Sequence, residues 1–349
     1  MDKIDIYSMN CEELSSLLVS IGEAKFRAKQ LFPELAKGVP IEEITTLSKA
    51  LRAKLREMTL DTLPRVEEKL VSKLDGTVKY LFRLHDGACI ESVFMKYKHG
   101  NTLCISSQVG CRMGCKFCAS TIGGKERDLL PSELLGQIIA AERDSGERIS
   151  NIVMMGIGEP LDNFDNVVKF LELVNHPDGV CIGYRHISLS TSGVVPGIYR
   201  LAELELPITL SISLHATTDE ARSAIMPINR KWGIDELLTA CLDYYKKTSR
   251  RISFEYTLIS GHNDSVENAR DLSKLLTDKF RGSGAPIHVN LIRVNEVKET
   301  GFSRGSAESA KAFADELNRR GVVATVRRRL GADVNAACGQ LRRSHTAKN

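Results

Sequence analysis

The stretch "TLCISSQVGCRMGCKFC", residues 102–118, joins an apolar, strand-like run to a short loop with three cysteines. These cysteines, Cys111, Cys115 and Cys118, have the spacing C-x3-C-x2-C. The chain has 349 residues and nine cysteines, an odd number. In a chain of this length, clustered thiols indicate metal binding or catalysis rather than a disulfide scaffold. The stretch therefore predicts a reactive loop at the C-terminal end of a core strand.

Further apolar runs follow this first strand and alternate with helical patterns. The runs are "NIVMMG" (151–156), "HISLS" (186–190), "ITLSIS" (208–213), "ISFEYTLI" (252–259) and "IHVNLI" (287–292). Helical patterns cover 132–145, 164–175, 234–247 and 265–279, and a later helix (306–320) precedes the strand "VVATVRR" (322–328). Six strands with intervening helices predict an α/β fold, a (β/α)6 partial TIM-type barrel. Right-handed crossovers would place the C-terminal strand ends on one face, where active residues cluster in such barrels.

The regions that flank the barrel have different patterns. Near the N-terminus, apolar residues recur at three- and four-residue spacing, which predicts helices. The next segment alternates around Asp75-Gly76, which predicts antiparallel strands with a type I′ turn. The predicted organisation is a helical accessory domain (1–62), an antiparallel β linker (63–102), the barrel core (103–330) and a C-terminal loop with a basic tail (331–349).

Charge is unevenly distributed along the chain. Residues 311–349 contain nine Lys and Arg against three acidic residues, whereas the whole chain has a net charge of only +4. A basic end is typical of a polyanion-binding protein, although a solvated basic face would look the same. The polar faces of the N-terminal helices add Lys25, Arg27, Lys29, Arg52, Lys54 and Arg56. No apolar run approaches the roughly 18 residues of a membrane span, and the acidic N-terminus is unlike a signal peptide. We therefore expect a cytoplasmic protein.

The three clustered cysteines leave the type of site open at first. A structural zinc site takes four ligands, and no histidine or fourth cysteine lies at finger spacing. An iron–sulfur cluster held only by cysteines would also need a fourth thiolate. Three thiolates on a four-iron cluster would leave one iron open for an exogenous ligand. The spacing favours this last arrangement over a zinc or purely redox site.

Polar side chains mark the ends of several predicted strands. "GIGEPLDN", residues 156–163, follows the second core strand, and Gly156 and Gly158 would let the backbone approach a ligand closely. Other strands end at Ser190, Ser213, His215 and Asn295. Each of these four could simply cap its strand. Together, at one end of one barrel, they predict a binding site.

A single cysteine, Cys338, stands in "DVNAACGQL", residues 333–341. Free cysteine often behaves as a small buried apolar residue, so packing alone would explain it. The neighbouring Ala336, Ala337 and Gly339 are small residues, which a mobile loop would need.

At this point the order of motifs resembles one family. "NTLCISSQVGCRMGCKFCA", "GIGEPLDN", "LSTSGVVPGI", "SLHA…MPIN" and "AACGQL" are similar to the RlmN/Cfr family of radical S-adenosylmethionine (SAM) RNA adenine methyltransferases. The resemblance extends over roughly residues 20–341. It implies one 4Fe-4S cluster on the three clustered cysteines and SAM held by Gly158, Glu159, Ser190, Ser213, Leu214, His215 and Asn295. Pro160 and Val109 favour the branch that methylates adenine C2 over the Cfr branch, which methylates C8.

The resemblance also implies roles for Cys338, Cys104 and Glu91. Cys338 would take a methyl group from a first SAM, and a 5′-deoxyadenosyl radical from a second SAM would then remove one of its hydrogens. The resulting methylene radical would attack C2, Glu91 would take the C2 proton, and Cys104 would release the product by forming a disulfide with Cys338. The implied substrates are an adenosine in the peptidyl-transferase centre of 23S rRNA and the adenosine 3′ of the anticodon in some tRNAs. A flavodoxin or ferredoxin-type protein would donate the electron, and we expect a monomer.

Three rival interpretations remain at this stage: a C8 methyltransferase, a zinc-stabilised RNA-binding module without catalysis, and a radical SAM methylthiolase or activase. The last of these leaves Cys338 and Cys104 without a role. For the remaining cysteines the sequence favours burial by packing; they are Cys11, Cys89, Cys181 and Cys241.

Overall fold

The structure is a computed structural model that describes residues 3–295, 301–334 and 341. The helices in these ranges are α1 (Cys11–Ser20), α2 (Ala28–Ala36), α3 (Lys49–Met58), α4 (Pro131–Ser145), α5 (Phe164–Asn175), α6 (Val195–Glu203), α7 (Asp219–Ile225), α8 (Ile234–Thr248), α9 (Val266–Phe280) and α10 (Ala307–Arg319). The strands are β1 (Arg65–Val71), β2 (Val78–Arg83), β3 (Cys89–Tyr97), β4 (Gly100–Cys104), β5 (Gln108–Gly110), β6 (Lys125–Asp128), β7 (Asn151–Met154), β8 (Ile187–Thr191), β9 (Thr209–Ser213), β10 (Ile252–Leu258), β11 (Ile287–Arg293) and β12 (Val323–Val326). None of the helices in these ranges is both long and apolar enough to cross a membrane.

The parallel part of the sheet confirms the predicted (β/α)6 barrel. Strands β4, β7, β8, β9, β10 and β11 lie side by side in chain order, and every pair is parallel. At least one helix separates each strand from the next along the chain. The later predicted strand is β12, which pairs parallel with β11. Because all these strands run the same way, their C-terminal ends share one edge.

An antiparallel extension continues the same sheet. β1, β2, β3 and β4 pair antiparallel in that order, and β4 also pairs with the parallel strand β7. The predicted type I′ turn is wrong. The Ser72 N–H bonds to the Thr77 carbonyl, so four residues form the loop, and only Gly76 among them has a positive φ. A type I′ turn needs positive φ at both central residues.

The N-terminal helices pack against the barrel instead of standing apart. Asn10 caps α1 in a capping box with Glu13, which satisfies free N–H groups at the helix start. The segment before α1 contacts α4, where the Ser132 hydroxyl donates to the Asp5 carboxylate at 2.7 Å. Thr62, just past α3, donates to the same carboxylate at 2.9 Å. The helical region is therefore anchored to the first crossover helix of the barrel.

Strand alternation separates an apolar outer face from a polar interior face. In β8, Ile187 and Leu189 are buried in the main apolar core, which places Ser188 and Ser190 on the opposite face. The same alternation applies in the neighbouring strands. It assigns a set of polar side chains to the interior face: Glu91, Cys104, Ser190, Ser213, Glu255 and Asn290. Four of the candidate site residues are thus on the interior face: Glu91, Cys104, Ser190 and Ser213.

Candidate functional site

The cysteine loop, residues 111–124, is closed at its base by the hairpin of β5 and β6. The Cys111 N–H donates to the Gly124 carbonyl at 3.0 Å. Gly110 has φ +78°, and a Cβ there would collide with the Gly124 carbonyl oxygen, so the turn requires glycine. Inside the loop, the Cys118 N–H donates to the Cys115 carbonyl at 3.1 Å. Backbone contacts therefore set the path of the segment that carries the three thiols.

The "MPIN" segment (226–229) and the end of α7 form the floor of this loop. The Lys116 N–H donates to the Ile225 carbonyl at 2.9 Å. Ile225 and Met226 belong to the same buried apolar cluster as Cys111 and Cys115. The floor shields the cysteines from water on this side.

Two buried thiols of the loop, Cys111 and Cys115, have raised pKa values. Burial raises the pKa of the Cys111 thiol to about 12, and the Glu159 carboxylate and Cys118 add to this effect. Burial also raises the pKa of Cys115, and Cys118 and Cys111 raise it further. Such thiols become thiolates only beside a strong positive charge, as in a metal site, where a coordinating thiol is deprotonated outright.

The donors that the loop offers are three cysteine sulfurs. In the described ranges, no three His, Cys, Asp or Glu side chains converge on one ion-sized site. In a four-iron cluster each thiolate binds a different iron, so the three sulfurs need not converge. The residues present therefore fit a cluster held by Cys111, Cys115 and Cys118.

The loop after β7 owes its glycines to contacts inside the protein. A Cβ on Gly156 would lie 2.5 Å from the Ile105 carbonyl oxygen, and one on Gly158 would lie 2.6 Å from the Ser107 hydroxyl. The Ile157 carbonyl also accepts the Ser107 N–H at 2.8 Å. These two glycines thus approach the chain that follows β4 closely, which joins this loop to the start of the cysteine loop. The predicted approach of a ligand to Gly158 stays a prediction.

Glu159 joins two strand ends by its side chain. It is 3% exposed, and its carboxylate accepts the Ser192 N–H at 2.6 Å and the Leu161 N–H at 3.1 Å. Burial raises the pKa of Glu159, although these hydrogen bonds oppose the effect. The carboxylate therefore holds the ends of β7 and β8 together, next to Gly158.

The other predicted binding residues lie at neighbouring strand ends. Ser190 and Ser213 are half-buried, near the C-terminal ends of β8 and β9. Leu214 is fully buried. Asn295 is half-buried and directly follows Val294, which packs in the apolar cluster of the cysteine loop. The structure thus brings these residues to the same end of the barrel as the three cysteines.

His215 touches the cysteine loop directly. Its ring meets Phe117, between the second and third cysteines, edge-on with ring centroids 4.9 Å apart. His215 has φ +58°, and its Nδ1 accepts the Thr257 N–H at 2.9 Å. Burial and, to a smaller extent, the Arg222 cation lower the pKa of His215 to about 3. His215 is therefore neutral at physiological pH and can donate through Nε2–H.

Glu91 and Cys104 share the interior face of the antiparallel extension. Cys104 in β4 pairs with Val93 in β3, and Glu91 lies two residues along β3 on the same face. Glu91 forms an ion pair with Lys79 of β2 at 3.1 Å, and both side chains are 1% exposed. A buried carboxylate with its counterion and a buried thiol thus stand on adjacent strands.

Cys338 lies outside the described residues, but the chain that leads to it is anchored on this side of the sheet. Leu330 packs against the apolar cluster that contains Cys104. Asp333 then accepts the Ser72 hydroxyl at 2.6 Å and the Lys73 N–H at 2.8 Å. The C-terminal segment is therefore tied to the β1–β2 turn.

The cysteines assigned to packing differ in their surroundings. Cys89 and Cys241 are buried, and Cys11 is half-buried. Cys181 is exposed with φ +59°, so the packing interpretation is wrong for it. Its loop position explains the difference, because the chain turns outward between α5 and β8.

Two buried charged residues, Lys79 and Arg222, are not evident from sequence patterns. Lys79 lies between the apolar residues Val78 and Tyr80, and strand alternation alone would assign it to solvent. Arg222 is fully buried in the short helix α7, which the periodicity does not predict. The only signal for Arg222 is its position between "SLHA" and "MPIN".

Two family models match the chain. The model described as Radical SAM superfamily matches residues 105–272, and the Ribosomal RNA large subunit methyltransferase N-terminal domain matches residues 4–60. Together with the barrel and the cysteine loop, these matches define a radical SAM enzyme.

Individual relatives are similar over nearly the whole chain. A "Probable dual-specificity RNA methyltransferase RlmN" of Alkaliphilus oremlandii (strain OhILAs) is 52% identical over 346 residues, 99% of each chain. One of the same name from Clostridium botulinum (strain Eklund 17B / Type B) is 53% identical over 342 residues, 98% of this chain and 97% of its own. The crystal structure of a radical SAM methyltransferase from Sphaerobacter thermophilus has a TM-score of 0.90 at 40% identity, covering 97% of this chain and 98% of that one. The chain belongs to the RlmN family of radical SAM methyltransferases.

Proposed function

We propose that the protein methylates C2 of an adenosine in 23S rRNA and of an adenosine in tRNA, with Cys338 as the methyl carrier. The name of its relatives, dual-specificity RNA methyltransferase, supports two RNA substrates. One observation carries the proposed mechanism: Cys104 and Glu91 share an interior face, and the chain leading to Cys338 packs beside Cys104 at Leu330. A carrier, a proton acceptor and a second thiol are what a covalent methyl transfer needs.

The cofactors would bind at the C-terminal strand ends. Cys111, Cys115 and Cys118 would hold one 4Fe-4S cluster. Two SAM molecules would be used per turnover, one as methyl donor and one as radical source, held by Gly158, Glu159, Ser190, Ser213, Leu214, His215 and Asn295. The bound cluster supplies the electron that cleaves SAM to a 5′-deoxyadenosyl radical. A neutral His215 would add no positive charge to a site that holds the cationic sulfonium of SAM.

A methyl carrier such as Cys338 is needed because adenine C2 cannot take a methyl group directly from SAM. C2 of adenine is an electron-poor carbon without a nucleophilic lone pair, so direct transfer of a methyl cation fails. The Cys338 thiolate is the nucleophilic form and accepts the first methyl group. After loss of one hydrogen atom, its methylene carbon adds to C2 and links protein to RNA.

Glu91 and Cys104 would complete the cycle. The radical adduct would return one electron to the oxidised iron–sulfur site and give its C2 proton to the Glu91 carboxylate, which Lys79 contacts at 3.1 Å. The Cys104 thiolate then attacks the Cys338 sulfur, the carbon–sulfur bond breaks, and the methylene carbon takes up a proton. The reaction leaves a disulfide between the two cysteines, which thiol–disulfide exchange must reduce before the next turnover.

The partners follow from this chemistry. A flavodoxin or ferredoxin-type protein would supply the electron. The RNA substrates place the activity in the cytoplasm. Each site is built from one chain in this arrangement, so we propose a monomer.

The decisive experiment is Cys104→Ala with SAM, reductant and substrate RNA. Without its second thiol the protein should accumulate a covalent RNA adduct, visible as a shift in denaturing electrophoresis and intact mass. Cys181→Ala, at an exposed cysteine, is the matched control and should turn over without an adduct. Clean turnover by the Cys104 variant would rule out its proposed role. Nucleoside mass mapping of the product separates C2 from C8 methylation, and methylation at C8 would contradict the proposal.

A further inference from the structure

Arg222 carries a fully buried charge that only neutral groups contact. Its Nη2 donates to the carbonyls of Ser192 at 2.6 Å and Ser213 at 2.9 Å. Its Nε donates to the Leu214 carbonyl at 3.0 Å, and its Nη1 to Asn229 Oδ1 at 3.0 Å. Within the described part of the chain, no carboxylate forms an ion pair with it. A buried cation without a counterion is costly, so its position requires a compensating partner.

Asp219, a carboxylate that acts electrostatically on Arg222, does not supply that partner. Asp219 acts on Arg222 only at a distance, and its Oδ1 accepts the Ile234 N–H at 2.8 Å and Asn229 Nδ2–H at 2.9 Å. Burial lowers the pKa of Arg222 to about 10, which still leaves it charged at neutral pH. The positive charge is therefore retained.

The helix that carries Arg222 is the floor of the cysteine loop. Ile225, three residues further along α7, accepts the Lys116 N–H at 2.9 Å and packs in the cluster with Cys115. The guanidinium in turn binds the carbonyls of Ser213 and Leu214 at the end of β9. Helix α7 thus contacts the cysteine loop through Ile225, and its Arg222 side chain binds a strand end assigned to SAM.

We propose that Arg222 is a positioning residue that supplies a fixed positive charge to the iron–sulfur site and ties that site to the SAM-binding strand ends. The inference rests on the proposed cluster. Taking up one electron makes the cluster and its three thiolates more negative by one charge. A buried cation favours the more negative state, because the protein interior screens the attraction weakly. Arg222 therefore makes the cluster easier to reduce.

The test is an EPR-monitored redox titration of the reconstituted holoenzyme and its variants. In Arg222→Gln the charge is lost, and the ratio of reduced to oxidised cluster at a fixed potential should fall about tenfold, a shift of about 59 mV for one electron. Arg222→Lys keeps the charge and should recover most of that ratio. Asn229→Ala is the control: it removes one neutral partner, so it should lower the melting temperature and leave the ratio within about twofold of the parent.

Two results would distinguish this inference from a purely structural role of Arg222 and from a failure of the proposed function. If Arg222→Gln and Asn229→Ala both lower the melting temperature and neither changes the potential, Arg222 is only structural and the inference is wrong. If Arg222→Gln does not fold, Arg222→Met fills the space without charge and takes its place in the comparison. Failure of the parent protein to take up iron and sulfide would instead contradict the proposed function, independently of Arg222.

Discussion

The cysteine loop and the face that carries Glu91 and Cys104 are held in place by different forces. At the base of the loop, backbone lies against backbone, and Gly110 leaves no room for a side chain. At the other face, a fully buried ion pair joins Lys79 of β2 to Glu91 of β3. Close backbone contacts are disrupted by added side-chain volume but not by a change of charge. A buried ion pair is instead strongly destabilised when one of its two partners is removed. The two regions should therefore fail under different substitutions.

The largest effect is expected from Lys79→Met. It leaves the Glu91 carboxylate buried without its counterion, which should lower the free energy of unfolding by about 3–5 kcal/mol. Urea unfolding followed by circular dichroism measures the loss. In the double variant Lys79→Met/Glu91→Leu an apolar pair replaces the ions, so most of the stability should return.

The matched control is Lys69→Met. Lys69 pairs with Asp144 at 2.7 Å, but its side chain is 46% exposed, so its loss should cost below about 1 kcal/mol. Equal losses for the Lys69 and Lys79 variants would show that the buried pair has no special importance for the fold.

A smaller effect is expected from Gly110→Ala in the cysteine loop. Gly123→Ala is the control, because Gly123 also has a positive φ, +98°, but no atom lies within 4 Å of its added Cβ. Both variants incur backbone strain, and the Gly110 variant also displaces the Gly124 carbonyl. It should lose about 1–3 kcal/mol more than the control and bind less iron per chain. Equal iron contents and equal midpoints of urea unfolding in the two variants would contradict the close packing at the base of the loop.

The smallest effect concerns acid sensitivity of the C-terminal anchor. Burial would raise the pKa of Asp75, but hydrogen bonds from the Gly331 N–H and from Thr77 outweigh this and lower it to about 2. A carboxylate with a lowered folded-state pKa stabilises the fold above its ordinary value of 3.8, and this stabilisation is lost as the pH falls toward 2. Asp75→Ala should therefore flatten the fall of the urea midpoint between about pH 4 and pH 2. Leu74→Ala, in the same turn, should keep the parent slope, and equal slopes in all three proteins would refute the assignment.

The barrel was predictable because its signals are local. Apolar runs of four to eight residues and helices of three or four turns leave their period in the sequence. The strand ends with their polar side chains follow from right-handed crossovers. The turn at Asp75-Gly76 was not predictable in detail, because loop length depends on which residues pair across the hairpin.

The site was predictable where its residues are close in sequence or match a family motif. The spacing alone picks out the proposed cluster ligands, which are Cys111, Cys115 and Cys118. Lys79 does not, because its partner lies on the next strand and a lysine in an alternating strand is normally exposed. The protein contacts of the glycines after β7 were not predictable, since no sequence pattern tells whether a glycine faces another stretch of backbone.

The contact between Asp333 and the β1–β2 turn sets the length of a tether. Cys338 is five residues beyond Asp333, and an extended chain spans at most about 3.6 Å per residue, so its Cα lies within about 18 Å of the Asp333 Cα. In the proposed mechanism, methyl pick-up, delivery to adenine and release by Cys104 would all take place inside that radius. A thiol confined in this way meets its partners at an effective concentration of millimolar or above, whatever the amount of protein in solution.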